Sequence, residues 1–339
     1  MTACGATSYL ARRGAMAYIP NFSPSHVEAY LHERDAELGW SVSAPRADPA
    51  FPGQPACVSV YGDSFTAGSG VGDDATFAHD LAVAMNCPVE NFGVGGYGSD
   101  QALMLSRSRA TRDNAPVTIL AHLSENILRN VNQYRNLLVS NTPLGFKPRF
   151  VLDNGSLRQL PLPVAAPADF ARLRAYPDQV LASDALIRRP RRSFPYVWSL
   201  VRYLASDPHV RSAMRREPWY VPFYAADHPS RALPLTTEIL ASFARDAKSR
   251  SRTALIVLIP TAADLAFVKR GGAWPDQPLA DGLRATGIPF VHVGPAFDAS
   301  GHIDACVIYQ DCNGHFSEAG NRIVAGLIKA GIDELPRMR

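Results

Sequence analysis

Ser64 and His315 are residues whose types suit nucleophilic chemistry. A serine hydroxyl attacks a carbonyl efficiently only when a base accepts its proton, and histidine most often serves as that base. An acid beside the histidine fixes its tautomer and stabilises the imidazolium, and Asp311 is the nearest carboxylate before His315. The reaction also needs hydrogen-bond donors for the developing oxyanion. Backbone N–H groups of small residues such as Gly96, and a side-chain amide such as that of Asn126, suit this task.

Short apolar runs that alternate with helical patterns must position these residues. We expect five strands, one within residues 58–65 and the others at 88–92, 116–121, 254–259 and 289–293. We expect helices at residues 24–38, after Thr76, after Ser99, at 236–249, at 278–286 and from Ser317 to Gly331. This repetition predicts an α/β fold with one doubly wound parallel sheet and a large insertion of helices and loops after the third βα unit.

The carboxyl ends of parallel strands meet at one edge of a sheet, where ligands bind. Ser64 follows the first expected strand, Gly96 the second and Asn126 the third. Asp311 and His315 lie in the loop before the final helix. Singly, each residue has an ordinary explanation in a turn, a cap or helix packing. Together at one sheet edge, they favour a serine-dependent catalytic site.

Four sequence blocks carry a resemblance to a known family. They are Gly62-Asp-Ser-Phe65, Asn91-x-Gly93-x-x-Gly96, the loop with Asn126, and His315-Phe-Ser-Glu-Ala-Gly320. In this order they resemble the blocks of the SGNH (GDSL) hydrolases. The resemblance spans about residues 56–135 and 253–330, and it leaves out the amino terminus and the insertion. It implies a flavodoxin-like sheet of five parallel strands and ester hydrolysis without a metal or other cofactor.

The resemblance also implies a role for each matching position. Ser64 would be the nucleophile, forming an acyl-Ser64 intermediate, and His315 would be the general base. The N–H groups of Ser64 and Gly96 and the amide of Asn126 would form the oxyanion hole. Substrates common in the family are short acyl esters, including acetyl groups on carbohydrates, so a saccharide or small-molecule ester is the expected partner.

Two positions depart from the family pattern. The third block reads Ser124-Glu-Asn126-Ile, where Gly-x-Asn-Asp is usual. The family acid usually stands two or three residues before the histidine, but Asn313 and Cys312 occupy those positions here. An additional loop residue still allows Asp311 to complete a catalytic triad. Alternatively the site is a Ser–His dyad, with Asn313 or a backbone carbonyl orienting the ring.

Three other functions stay open beside ester hydrolysis. The same acyl-Ser64 intermediate in an O-acyltransferase would pass to a sugar hydroxyl instead of water. A catalytically inactive binding domain with the same fold would explain the displaced Asp311 and the altered third block. The spacing of Gly93, Gly95 and Gly98 matches a dinucleotide-binding loop, but no acidic residue suited to bind the ribose follows at the required distance.

Two regions lie outside the resemblance. We expect residues 1–55 to form an arm that packs on the main domain, 56–339, and residues 140–235 to form an insertion or lid. The segment 188–216 contains eight arginines, which suit either an anionic polymer or membrane surface or the solvated face of a lid helix. Aromatic side chains in the insertion suit sugar stacking or an acyl channel, and they are Tyr196, Trp198, Tyr203, Trp219, Tyr220 and Tyr224.

Composition and sequence patterns give expectations for the partners, the cysteines and the cellular location. A net charge of +3 over 339 residues gives no argument for a nucleic-acid partner. Five cysteines without paired spacing indicate free thiols rather than a disulfide framework, although Cys306 and Cys312 can meet if their loop folds back. The histidines lack metal-ligand spacing.

No secretory signal and no apolar run of roughly 18 residues is visible, so we expect a cytoplasmic protein without stable membrane insertion. The sequence leaves the oligomeric state open.

Overall fold

Five parallel strands form the central sheet in this computed structural model, which describes residues 23–40, 51, 53–139, 143–187, 196–301 and 304–335. The strands are β1 (Val58–Gly62), β2 (Val89–Gly93), β3 (Val117–Leu123), β6 (Thr253–Ile259) and β7 (Phe290–His292). They lie in the order β2-β1-β3-β6-β7, which is the strand order of a flavodoxin-like sheet. The predicted fold class is therefore confirmed by the sheet's own topology.

The central strands are buried on both faces, which explains their continuous apolar sequences. β1 is buried at every position, and β3 and β6 are buried at all but their first residue. Val58, Ile119 and Val257 share one apolar cluster with side chains from the helices on that face. On the other face, the ring of Tyr61 stacks on Phe92 with 4.7 Å between ring centroids. Helices thus cover both sides of the sheet.

Most predicted helices occur within a few residues of their expected bounds. The helices outside the insertion are α1 (Pro24–Glu33), α2 (Ser64–Ala67), α3 (Phe77–Met85), α4 (Ser99–Ser108), α5 (Asn126–Arg129), α10 (Ala232–Ser249), α11 (Ala262–Lys269), α12 (Gln277–Thr286), α13 (Val293–Ala299), α14 (Ala305–Ile308) and α15 (Glu318–Asp333). Ser23 caps α1 by accepting a hydrogen bond from His26 N. No helix among these described segments is long and apolar enough to cross a membrane.

Two helix ends differ from the prediction. α1 stops at Glu33 rather than at residue 38, because Asp35 accepts hydrogen bonds from the N–H groups of Glu37 and Leu38 in a separate turn. α15 continues past Gly331, which was expected to terminate it. A Cβ atom at residue 331 would collide with Val291 of β7, so this glycine permits close packing of the helix on the sheet.

The predicted insertion contains a hairpin as well as helices. Its elements are β4 (Arg149–Asp153), β5 (Ser156–Leu160), α6 (Pro167–Ala175), α7 (Pro177–Val180), α8 (Tyr196–Ser206) and α9 (Pro208–Arg215). β4 and β5 pair in a separate two-stranded sheet, which the prediction of a helical and loop insertion did not include. Residues 1–22, 41–50 and 188–195, which include much of the predicted arm and the densest arginine run, lie outside the described residues.

The chain divides into two compact units. One comprises Met1–Ser41, Val131–Val151 and Arg158–Tyr220, and the other comprises Val42–Asn130, Leu152–Leu157 and Val221–Arg339. In the first unit, the Tyr30 ring of α1 makes edge contacts with Phe146 and Phe170, and its hydroxyl donates to Val164 O. α1 thus belongs to the same unit as these insertion residues. The division falls near residues 41, 131 and 220, whereas the boundaries expected from sequence were 55, 140 and 235.

Four cysteines form disulfides, which corrects the expectation of free thiols. Cys57 is bonded to Cys87, and Cys306 is bonded to Cys312. Cys57 directly precedes β1 and Cys87 closely precedes β2, so the parallel pairing of these strands brings the two cysteines together. Spacing along the chain did not indicate this pair because its proximity depends on the sheet register.

His122 of β3 is a fully buried histidine in a hydrogen-bonded network. Tyr224 donates its single hydroxyl proton to Ser124 O, so its oxygen accepts from His122 Nε2 at 3.1 Å. Nδ1 of His122 is then the acceptor for the Ser99 hydroxyl at 2.7 Å. Burial lowers the pKa of His122 to about 4. These hydrogen bonds therefore hold the buried imidazole of His122 in its neutral form.

Folding stability should fall in acid because of His122. The pKa of a histidine in the unfolded chain is about 6.5, so below that pH the unfolded state binds a proton that the folded state excludes. The contribution of His122 to the free energy of unfolding is fully present above about pH 6.5. It is lost as the pH falls toward 4, by up to about 3 kcal/mol. Urea unfolding between pH 7.5 and 4.5 measures this slope. His122→Gln should flatten it, and His26→Gln, at an exposed position of α1, should not.

Candidate active site

Ser64 and His315 meet at the carboxyl edge of the central sheet. β1 ends at Gly62, Asp63 caps the short helix α2, and Ser64 is the first residue of that helix. His315 lies in the loop before α15, and its Nε2 is 2.8 Å from Ser64 Oγ. Both side chains are partly exposed, so a solute can reach them. The structure therefore brings together the serine and the histidine that the sequence paired.

His315 is fixed by its own backbone and by neighbouring rings. Its carbonyl accepts a hydrogen bond from Gln310 N at 2.8 Å, and Tyr309 forms an antiparallel bridge with Phe316. The imidazole lies against the ring of Phe65 with 5.0 Å between centroids. Phe65 in turn makes an edge contact with Phe316 at 4.9 Å. A mostly apolar support thus holds the ring that faces Ser64.

The local field favours the neutral form of His315. Burial lowers the pKa of this imidazole below its ordinary value, the Asp63 carboxylate raises it, and the Arg129 guanidinium lowers it. A lowered pKa leaves more of the neutral ring at neutral pH, which is the form that accepts a proton. When Ser64 donates to Nε2, the remaining ring proton of the neutral imidazole resides on Nδ1.

Asp63 is the buried centre of the hydrogen bonds around Ser64. Its side chain is 2% exposed. Oδ1 accepts from Phe65 N at 2.9 Å, which caps α2. Oδ2 accepts from Asn126 Nδ2 at 3.0 Å and from Arg129 Nη1 at 3.3 Å. One carboxylate thus links the helix that begins with Ser64 to both ends of α5.

Asn126 and Gly96 lie after the two strands that flank β1. β1 lies between β2 and β3, so the loops after these three strands are neighbours at one edge. Asn126 uses its amide nitrogen for Asp63, and an amide carries a second hydrogen that this bond leaves free. Gly96 has a φ of +78°, which suits glycine in the turn after β2. No acceptor for the N–H groups of Ser64 or Gly96 is found among the described residues.

The loop after β2 is tightly packed against α2. Asn91 donates its amide to Thr66 O at 2.7 Å and accepts from Gly93 N at 2.9 Å. A Cβ at Gly93 would collide with the backbone of Ala67, so only glycine allows this approach. The asparagine and glycine of the second sequence block therefore set the position of the loop that contains Gly96.

Asp311 is not brought to His315. Its backbone has a φ of +50°, the next residue Cys312 has a φ of +59° and is bonded to Cys306, and both side chains are exposed. Within the described part of the chain, Asp311 has no hydrogen bond or ion pair. The additional loop residue thus leaves the acid in solvent. Asn313 is also exposed, and no partner for His315 Nδ1 is found among the described residues.

Sequence reasoning missed Arg129 and the role of Asp63. Arg129 donates to Tyr97 O at 3.0 Å as well as to Asp63, and its side chain is 13% exposed. A buried cation joined to a buried carboxylate is stable only as a pair. The available signal was the spacing: Arg129 follows Asn126 by three residues, which places both side chains on one face of a helical turn.

The aromatic residues expected to contact substrate differ in their exposure. Tyr224 is buried and committed to His122 and Ser124 O, and Tyr220 is also buried, so neither ring is open to a ligand. Trp219 stacks on His209 with 4.2 Å between ring centroids. Tyr196 and Trp198 are exposed on α8. The side chain of Tyr203 lies outside the described residues.

No group of three or more histidine, cysteine, aspartate or glutamate side chains that could hold a metal ion occurs within the described ranges.

Comparisons with known proteins find structural likeness only. No family model matches the sequence, and no curated protein matches it. A lipolytic G-D-S-L family protein from Veillonella parvula is similar with 10% identity and a TM-score of 0.43, over 82% of this chain and 98% of that one. A GDSL-like lipase from Bacteroides thetaiotaomicron is similar with 13% identity and a TM-score of 0.40, over 82% of this chain and 87% of that one. An acetylxylan esterase from Geobacillus stearothermophilus is similar with 10% identity and a TM-score of 0.39, over 85% and 98%. These likenesses are weak, and the fold of this chain rests on its own strand order.

Replacement of Arg129 should shift the titration of His315. Arg129→Gln removes a cation that disfavours the imidazolium, so the pKa of His315 should rise. Arg129→Lys keeps a charge and should change the pKa less. NMR titration of the His315 ring measures both values. Arg284→Gln, at an exposed helical site, should leave the titration unchanged. A pKa that stays constant or falls in Arg129→Gln would contradict the electrostatic role.

Proposed function

We propose that this protein hydrolyses carboxylic esters, with Ser64 as nucleophile and His315 as general base. The observation that carries the proposal is the 2.8 Å contact between Ser64 Oγ and His315 Nε2 at the carboxyl edge of the sheet. A reachable hydroxyl in hydrogen-bond contact with a histidine whose pKa is lowered is the arrangement that nucleophilic acyl transfer requires. The buried Ser99–His122 contact has the same chemistry but is closed to substrate.

In the proposed reaction, Ser64 Oγ attacks the ester carbonyl carbon while its proton moves to His315 Nε2. The tetrahedral oxyanion accepts hydrogen bonds from Ser64 N, Gly96 N and the second hydrogen of the Asn126 amide. Each such donor is worth about 3–4 kcal/mol in comparable sites. Collapse breaks the bond to the alcohol, which takes the proton from His315. Water then attacks acyl-Ser64 with His315 as base, and the acid is released.

We propose a Ser–His dyad rather than a triad with Asp311. The exposed position of Asp311 supports this choice, as does the support of the His315 ring by Phe65. In a triad the acid orients the ring and balances the imidazolium charge. Here packing and the backbone bond from Gln310 N would orient the ring. The buried Asp63 carboxylate would balance part of the charge, since it raises the pKa of His315.

The proposed substrate is an ester with a short acyl group, such as an acetyl group on a carbohydrate. This part of the proposal rests on the resemblance of the four sequence blocks to the SGNH hydrolases. The partial exposure of Ser64 and His315 is compatible with a large alcohol portion, because only the acyl group must enter between the oxyanion donors.

Substitutions at the three predicted catalytic residues should have unequal effects on the hydrolysis of an aryl acetate. Ser64→Ala and His315→Ala should each lower kcat/KM by about 10³-fold or more, because nucleophile and base act as a unit. Asp311→Asn should remain within about threefold of wild type, like Asp281→Asn at another exposed acid. A loss of about 10⁴-fold in Asp311→Asn would instead identify a triad acid. Full activity in Ser64→Ala would overturn the proposal.

The products distinguish hydrolysis from transfer. An acetylated xylo-oligosaccharide is supplied as donor with an unacetylated oligosaccharide as acceptor, and both products are quantified by mass spectrometry. Hydrolysis should release free acetate in an amount equal to the donor consumed. Acetate that appears mainly on the acceptor would identify an O-acyltransferase. No turnover of any ester by a folded protein would favour an inactive binding domain.

A further inference from the structure

Helix α8 exposes an apolar surface that no other part of the described chain covers. The exposed large side chains on it, with their exposed fractions, are Tyr196 (69%), Val197 (70%), Trp198 (62%), Leu200 (51%), Val201 (48%) and Leu204 (44%). The five other than Trp198 lie at positions i, i+1, i+4, i+5 and i+8, which form one stripe along a helix. On a soluble protein, such a contiguous apolar stripe marks an interaction surface rather than scattered exposure.

Helix α9 follows directly in the chain and carries exposed cations. Arg211 and Arg215 are exposed and lie one helical turn apart, beside Met214, which is 81% exposed. Arg216 follows them and is also exposed. In the sequence, residues 188–216 contain eight arginines and a single acidic residue, Asp207. The Asp207 carboxylate is engaged in capping α9, where it accepts from His209 N and Val210 N.

The combination of these two features selects among possible occupants. A nucleic acid would pair with the arginines but would leave the aliphatic stripe of α8 in water. The headgroup region of a bilayer accepts both: aliphatic side chains enter the acyl boundary, tryptophan and tyrosine lie at the interface, and arginines pair with anionic headgroups. A positively charged segment is complementary to an anionic lipid surface, and each cation near it adds to binding.

We infer that α8 and α9 form a docking surface for anionic lipid membranes, on which the protein binds peripherally. The apolar stripe of α8 would enter the interface in its plane, and Arg211 and Arg215 of α9 would contact lipid phosphates or carboxylates. The helices lie on the membrane and do not cross it, since α8 has only 11 residues. This inference is independent of the proposed esterase activity.

Co-sedimentation of the full chain with vesicles tests the inference. Vesicles of phosphatidylcholine with about 30 mol% phosphatidylglycerol are compared with vesicles of phosphatidylcholine alone, so that the two differ in surface charge. The protein should bind the anionic vesicles at least tenfold more tightly. Salt at about 0.5 M should weaken this binding strongly, because the ions screen the attraction between the arginines and the anionic headgroups. Equal binding to both vesicle types, or no binding, would overturn the inference.

Matched substitutions locate the surface. Leu200→Ser should weaken vesicle binding about tenfold, whereas Val83→Ser, at a similarly exposed apolar site on α3, should not. Arg215→Gln should weaken it about fivefold at low salt, whereas Arg284→Gln should not. Both arginines are similarly exposed and each pairs with a nearby carboxylate, so they differ mainly in location.

Two other results would assign the surface to a different occupant and contradict the lipid inference. Light scattering that finds a dimer in wild type and a monomer in Leu200→Ser would identify a second copy of this chain. A changed kcat/KM for a soluble ester in Leu200→Ser, with unchanged vesicle binding, would identify a cover for substrate. Retained esterase activity in Leu200→Ser together with lost vesicle binding would support the lipid surface.

Discussion

The buried carboxylate of Asp63 is the constraint on which the candidate site depends. It caps the helix that begins with Ser64, and it accepts hydrogen bonds from Asn126 and Arg129 on the helix after β3. A buried charge is tolerated only when it is paired and hydrogen-bonded, and loss of one partner of such a pair costs about 3–5 kcal/mol. The proposed nucleophile and the proposed oxyanion donor are therefore positioned by the same stabilising interaction.

His315 reaches Ser64 from the opposite end of the chain by a different kind of support. The imidazole lies against Phe65, the residue after Ser64, and the flanking backbone pairs with Tyr309 and Gln310. Because these contacts do not involve an ionised acid, the ring is oriented by packing rather than by charge. The same packing removes water from the imidazole and lowers its pKa. Orientation and basicity thus have a common cause.

The sequence predicted the parts of this protein that depend on local patterns. Five strands in one parallel sheet and the meeting of Ser64 with His315 followed from apolar runs and from the common edge of parallel strands. The disulfide Cys57–Cys87 depends on the register of β1 with β2, which spacing along the chain does not contain. The exposure of Asp311 depends on two consecutive left-handed residues, and neither is a glycine that would have signalled them. Arg129 was missed because its partner Asp63 looked like an ordinary turn residue.

Mapping the covalent adduct of a fluorophosphonate tests the central claim most directly. The reagent phosphonylates a serine only when a neighbouring base activates it, so peptide mass spectrometry reports both the site and the activation. The account predicts a single adduct, on Ser64 of the folded protein. In His315→Ala, this adduct should not form. An adduct on a different serine, or no adduct on a folded protein, would contradict the assignment of Ser64 and His315 as the catalytic pair.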